Sequence, residues 1–186
     1  MRKLRQLLRQ VEDAQKQVSQ KEYSGSAMIE HKKVVTVILD GQANVKSIAI
    51  DLALTSNTTS ELLEKLVITA FNDAFHQINT EASKMMSNML GKLTSKLSKM
   101  KYPQLDKIDD KVGNAEFDGS AGGNLVNIIL NGNGNIKSIT IDSSVINDQA
   151  MLEDLLVVSY SNAKRKFDAE TSNAMSDLLG GGKSVF

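Results

Sequence analysis

The chain repeats itself, and that repeat limits what it can fold into more than any single motif does. VTVILDGQANVKSIAID at 35–51 returns as VNIILNGNGNIKSITID at 126–142, with more than half the positions identical at one constant offset. EYSGSA at 22–27 returns as EFDGSA at 116–121, LEKLVITAFNDA at 63–74 as LEDLLVVSYSNA at 152–163, and MSNMLG at 86–91 as MSDLLG at 175–180. Order, spacing and residue character all recur, so the chain is two copies of one unit, divided here at 1–101 and 102–186.

Each unit predicts the same elements. Residues 2–20 carry Leu4, Leu7, Leu8, Val11 and Val18 at roughly helical spacing. Tyr23-Ser24-Gly25 reads as turn chemistry ending that helix. Two β-rich runs follow, with Val35, Val37 and Leu39 on one face and Ile48 and Ile50 on one face of the next. Asp40-Gly41 between them predicts a hairpin, with the glycine supplying the left-handed conformation. Ser60 is the expected N-cap of a long helix, with Glu61 and Glu64 serving its dipole in the first turn.

An apolar stripe of Phe71, Phe75, Ile78, Ala82, Met85, Met89, Leu93, Leu97 and Met100 carries that helix toward Tyr102-Pro103. It would extend roughly 60 Å if unbroken, with Gly91 a point where it could loosen. The stripe fits a packing seam better than a cofactor site. In the second unit Leu156, Tyr160, Ala163, Phe167, Ala174 and Leu178 continue the same pattern. The first helix of that unit is either a shared 84–101 segment or a reduced piece at 104–112, within a stretch (103–112) that reads as an acidic turn or linker. A three-stranded sheet with one apolar face needs a second layer. The fold class is therefore α+β, a tandem repeat of helix–small antiparallel sheet–long helix units, forming a single-chain pseudo-dimer.

The motifs resemble the YbaB/EbfC family of nucleoid-associated proteins. In the second unit they are DGSAGGNLVNI at 118–128, SITID at 138–142 and MLEDL at 151–155; in the first, SGSA at 24–27, SIAID at 47–51 and AFNDA at 70–74. The resemblance covers most of both halves. It implies a homodimer-like shape with paired projecting helices, and double-stranded DNA as partner with modest sequence preference. The chain departs from the family pattern by being a tandem, by the extra MIEHKK segment after Ala27, and by its acidic second half.

Composition narrows the chemistry. Cysteine is absent, which excludes thiol nucleophiles and the usual structural zinc sites, and there is no run of about 18 apolar residues to cross a membrane. The basic N-terminus lacks an apolar stretch or cleavage site, so a secretory signal is not expected and the expected compartment is the cytoplasm and nucleoid. GNGN at 132–135 precedes a β-rich run rather than a helix, which favours a hairpin turn over a phosphate loop. His31 and His76 lie on different elements without a ligand pattern, and Asp51 and Asp142 fit turn or capping chemistry better than a catalytic pair. No enzyme, cofactor or metal is expected.

The net charge is zero, but residues 1–101 carry 15 Lys and Arg against 10 Asp and Glu, whereas 102–186 carry 7 against 12. Arg2, Lys3, Arg5 and Arg9 share the first helix, and Lys92, Lys96, Lys99 and Lys101 extend along the long one. Such rows suit phosphate contacts and are the expected DNA-binding residues; Lys164-Arg165-Lys166 is a smaller cluster. The alternative is a non-enzymatic adaptor that engages proteins through its Met-rich helices. On assembly, one chain is expected to act as a monomeric pseudo-dimer or a weak homo-oligomer.

Overall fold

The computed structural model describes residues 13, 16, 18–55, 58–93 and 113–180. The first sheet is an antiparallel meander of β1 (Glu22–Ile29), β2 (Lys32–Asp40) and β3 (Val45–Ile50). A short helix α1 (Leu52–Thr55) leads to α2 (Ser60–Leu93). The second sheet repeats the order with β4 (Glu116–Ala121), β5 (Val126–Asn131) and β6 (Ile136–Ile141), followed by one 3-10 turn at Ser143–Val145 and by α3 (Gln149–Gly180).

Period-two alternation sets the buried faces. Val35, Val37, Leu39, Ile48 and Ile50 point inward in the first sheet, and Val126, Ile128, Leu130, Ile139 and Ile141 do so in the second. One irregularity repeats as well, a register shift at Ile38/Leu39 with its counterpart at Ile129/Leu130, whereas the shift at Ala27/Met28 occurs in the first sheet alone.

Tyr23, Ser24 and Gly25 do not form a turn. They lie within β1, where Tyr23 and Ala27 face the core. Gly25 serves close packing instead, since a Cβ there would stand 2.0 Å from the carbonyl oxygen of Ala70 on α2. Gly119 does the same on β4, with Ser159 O at 2.1 Å. The glycine of the SGSA and DGSA motifs thus lets each long helix rest directly on its outer strand.

The hairpin turns at 41–44 and 132–135 are as expected, but the left-handed residue is Ala43 (φ 61°) in one and Gly134 (φ 81°) in the other, not Gly41. Gly41 is needed because a side chain would meet Val18 O at 1.8 Å. Asp40 Oδ1 accepts from the N–H groups of Gln42 and Asn44, each at 2.9 Å. Asn131 Oδ1 makes the same pair of bonds to Asn133 and Asn135. The extra residues of the first unit lengthen its β1–β2 hairpin, which turns through Glu30 and His31 at positive φ.

At the start of α2 the cap is Thr59, not Ser60. Thr59 Oγ1 accepts from Leu62 N at 3.4 Å, and Ser60 is already helical. Asp148 caps α3 likewise, accepting from Met151 N at 3.0 Å. The helix passes Gly91 without a break, to Leu93. Phe71 and Ile78 are buried and Phe75 half-buried, whereas Ala82 is exposed, so most of the stripe's packing ends near Ile78. On α3, Leu156, Tyr160, Ala163 and Ala174 are buried. Leu97, Met100 and the 103–112 stretch fall outside the described residues, as does nearly all of the 2–20 helix.

Candidate nucleic-acid interface

The two long helices hold the molecule together by exchanging layers. Helix α2 packs on its own β1 and β2 and also on β6 of the second unit; α3 packs on β4 and β5 and on β3 of the first. One hydrophobic core results, with residues of both units in it.

Polar contacts follow the same exchange. Glu64 on α2 accepts from the backbone N–H of Ile141 at 2.9 Å, and its repeat counterpart Glu153 on α3 accepts from that of Ile50 at 2.8 Å. Each carboxylate therefore occupies an open edge of the other unit's sheet. Asn72 brackets Ile136, accepting from its N–H at 2.9 Å and donating to its carbonyl at 3.2 Å. Phe71 and Tyr160, equivalent in the repeat, stack with centroids 4.7 Å apart. The buried Tyr160 hydroxyl donates to the carbonyl of Ala43 at 3.0 Å, and burial holds its phenol well above the usual range. Sequence reasoning assigned Glu64 to the helix dipole and overlooked Glu153. The signal that could have found both was their shared place in LEKL and LEDL.

Among the expected contact residues, Arg2, Lys3, Arg5, Arg9, Lys96, Lys99 and Lys101 lie outside the described residues. Lys92 is on the last turn of α2, with its side chain likewise outside them. The smaller 164–166 cluster is largely engaged. Lys164 pairs with Asp168 at 2.5 Å, Lys166 with Asp118 at 2.9 Å, and Arg165 donates to Asn162. Lys166 keeps the Asp118 carboxyl below its ordinary range. This triplet is thus a poorer phosphate site than its sequence suggests.

On the exposed side of α2, His76, Asn79, Thr80, Ser83, Lys84 and Ser87 form one open polar face, with no carboxylate among those six described residues. Glu81, beside it, is paired with Lys21 at 2.7 Å. This face offers hydroxyl, amide and ammonium donors, the groups that contact a phosphate backbone without reading bases.

His31 sits in the β1–β2 turn and His76 on α2, and no three potential metal ligands cluster among the described residues. Asp51 accepts from Ala53 N and pairs with Lys32. Asp142 caps the 3-10 turn through Ser144. Both are turn and capping residues. Among the described residues, no helix is long and apolar enough to cross a membrane.

A family model for the YbaB/EbfC DNA-binding family matches residues 1–93 and, a second time, residues 90–182. A nucleoid-associated protein of Xylella fastidiosa is 35% identical over 91 residues, spanning 49% of this chain and 84% of its own. One from Agrobacterium fabrum is 37% identical over 95 residues, spanning 50% and 84%. One from Rickettsia bellii is 38% identical over 80 residues, spanning 42% and 75%. Each relative is similar to about one half of the present chain.

Proposed function

This chain belongs to the YbaB/EbfC DNA-binding family, and on that premise we propose that it is a nucleoid-associated protein that binds double-stranded DNA with low sequence specificity. The observation that carries the proposal is the double family match, joined to relatives that are themselves nucleoid-associated proteins. Units 1–101 and 102–186 stand for the two protomers of an ordinary member, so the working species is one chain, located on the nucleoid.

Binding is mainly electrostatic. Arg2, Lys3, Arg5 and Arg9, with Lys92, Lys96, Lys99 and Lys101, supply the charge, which the excess of basic residues in the first half supports. The exposed helix face from His76 to Ser87 adds neutral and ammonium donors on the helix that leads to Lys92. Phosphate contacts of this kind give affinity that falls steeply with salt.

The test is a salt titration of binding to several unrelated duplexes. The expected result is similar affinity for each, with log K falling linearly against log salt at about 0.9 per phosphate contacted. Absence of binding at low ionic strength would overturn the proposal. Reversing the charge of Lys92, Lys96 and Lys99 together should weaken binding to all duplexes alike; unchanged affinity would remove those residues from the interface.

A further inference from the structure

The two units are near copies, so the first could in principle pair with the first unit of another chain. Two such self-complementary units would link chains end to end instead of closing within one. The interface contains residues that bear on this choice.

Most of its polar contacts cannot discriminate. Asn72 bonds the backbone of Ile136, and Tyr160 bonds the backbone of Ala43. Each occurs once in the observed pairing and would occur twice in one of the two self-pairings, so the totals balance. The Glu64 and Glu153 bonds are also to backbone and are the same in every pairing. Discrimination requires a contact whose two side chains both differ between the units.

Among the described residues, the hairpin turns and the helix positions that face them meet that requirement. Phe75 and Lys164 are equivalent on the long helices, and Ala43 and Gly134 are equivalent in the hairpin turns. The four line one narrow gap of about 180 Å³ between the units. A Cβ on Gly134 would stand 2.8 Å from Phe75 Cζ and 3.3 Å from Phe167 Cζ. The large ring therefore faces the turn that lacks a side chain; its counterpart Lys164, whose ammonium meets Asp168, lines the same gap as Ala43. Were the first unit to pair with itself, Ala43 would meet Phe75 twice. Were the second to do so, Gly134 would face Lys164 twice and the Phe75 ring would be absent from the gap.

We infer that the fit of Phe75 against Gly134 is a steric preference by which the first unit favours the second over a copy of itself, in which the ring would have to shift away from Ala43. Pairing then closes within the chain. The inference rests on the exchange of layers between the units and not on DNA binding, so loss of the latter leaves it standing.

The test uses the full chain and exchanges the two turn residues, Ala43→Gly with Gly134→Ala. Alanine is admissible at this left-handed position because Ala43 already occupies it at φ 61°. Two differently tagged copies are co-expressed, and mass is measured by light scattering. The native chain is expected at the mass of one chain without exchange between tags. The exchanged variant should at least double its average mass and co-purify across tags. Adding Phe75→Ala removes the ring and should restore one-chain mass. The inference is overturned if the native chain itself exchanges, if the exchanged variant keeps one-chain mass and native melting temperature, or if Phe75→Ala fails to reverse its effect, misfolding included.

Discussion

The carboxylate of Glu64 lies 2.9 Å from the backbone nitrogen of Ile141, 77 residues away in the other unit. Ile141 is buried, so its N–H has little access to water if the carboxylate is removed. Glu64→Ala should therefore cost about 1–3 kcal/mol in urea unfolding, the penalty for an unpaired buried donor. Glu153→Ala should cost a similar amount through Ile50. Glu64→Gln keeps an acceptor in place and should stay within about 1 kcal/mol of the native chain. Equal losses for Gln and Ala would show that the bond contributes nothing.

Gly25 and Gly119 give a second prediction. Their missing Cβ atoms would stand about 2 Å from helix backbone atoms, Ala70 O and Ser159 O. Backbone cannot swing aside as a flexible side chain can, so helix and strand would have to separate. Gly25→Ala and Gly119→Ala should each destabilise by on the order of 3 kcal/mol. Thermal melts would show it, and a shift of less than a few degrees in both would contradict the packing described here.

These two sets of residues also show where the sequence was legible and where it was not. Strands β2, β3, β5 and β6 announce themselves because bulky β-branched and aliphatic residues alternate along them. Strand β1 does not, because its inward positions include Gly25 and Ala27, small residues that resemble turn chemistry until the helix above them is known. Local spacing placed Glu64 on the first turn of a helix but could not name the N–H that donates to it, since Ile141 arrives only through tertiary pairing. Similarly, Lys166 reads as a free cation until Asp118 is brought beside it. The Phe71–Ile78 part of the long-helix stripe and the internal repeat, by contrast, were visible in the sequence. Patterns carried by many residues survive in sequence, whereas single long-range contacts do not.

A third prediction concerns acid. Burial alone would raise the Asp40 carboxyl, but bonds from the Asn44 N–H and side-chain amide and the Gln42 N–H, with Lys46 nearby, hold it below its ordinary value. A carboxyl lowered by folding stabilises the protein above its unfolded pKa, and that contribution is lost as pH falls through the folded value. Asp40→Asn should preserve the turn, because Asn131 makes the same backbone bonds in the second unit. Stability at neutral pH should change by less than about 1 kcal/mol, while the decline below about pH 4 becomes shallower. It should not vanish, because Asp51, Asp118 and Asp142 are lowered as well. Melting curves between neutral and acid pH check this, and an unchanged acid limb would contradict it.

Tyr160 makes the opposite prediction at alkaline pH. Its hydroxyl donates to Ala43 O, its ring stacks on Phe71, and burial raises its phenol above the ordinary value. An acid held protonated by folding contributes stability that is present below its unfolded pKa, about 10. That contribution is lost as pH rises toward the folded value, because the unfolded chain releases its proton first. Tyr160→Phe keeps the stack but removes the hydroxyl, so it should cost about 0.5–1.5 kcal/mol at neutral pH. Above about pH 10 the phenylalanine variant has no proton to lose at this position, and its deficit should shrink or reverse. Paired melts at neutral and alkaline pH measure the difference directly. A deficit that stays constant across the range would mean the hydroxyl ionises as easily in the folded protein as in the unfolded chain.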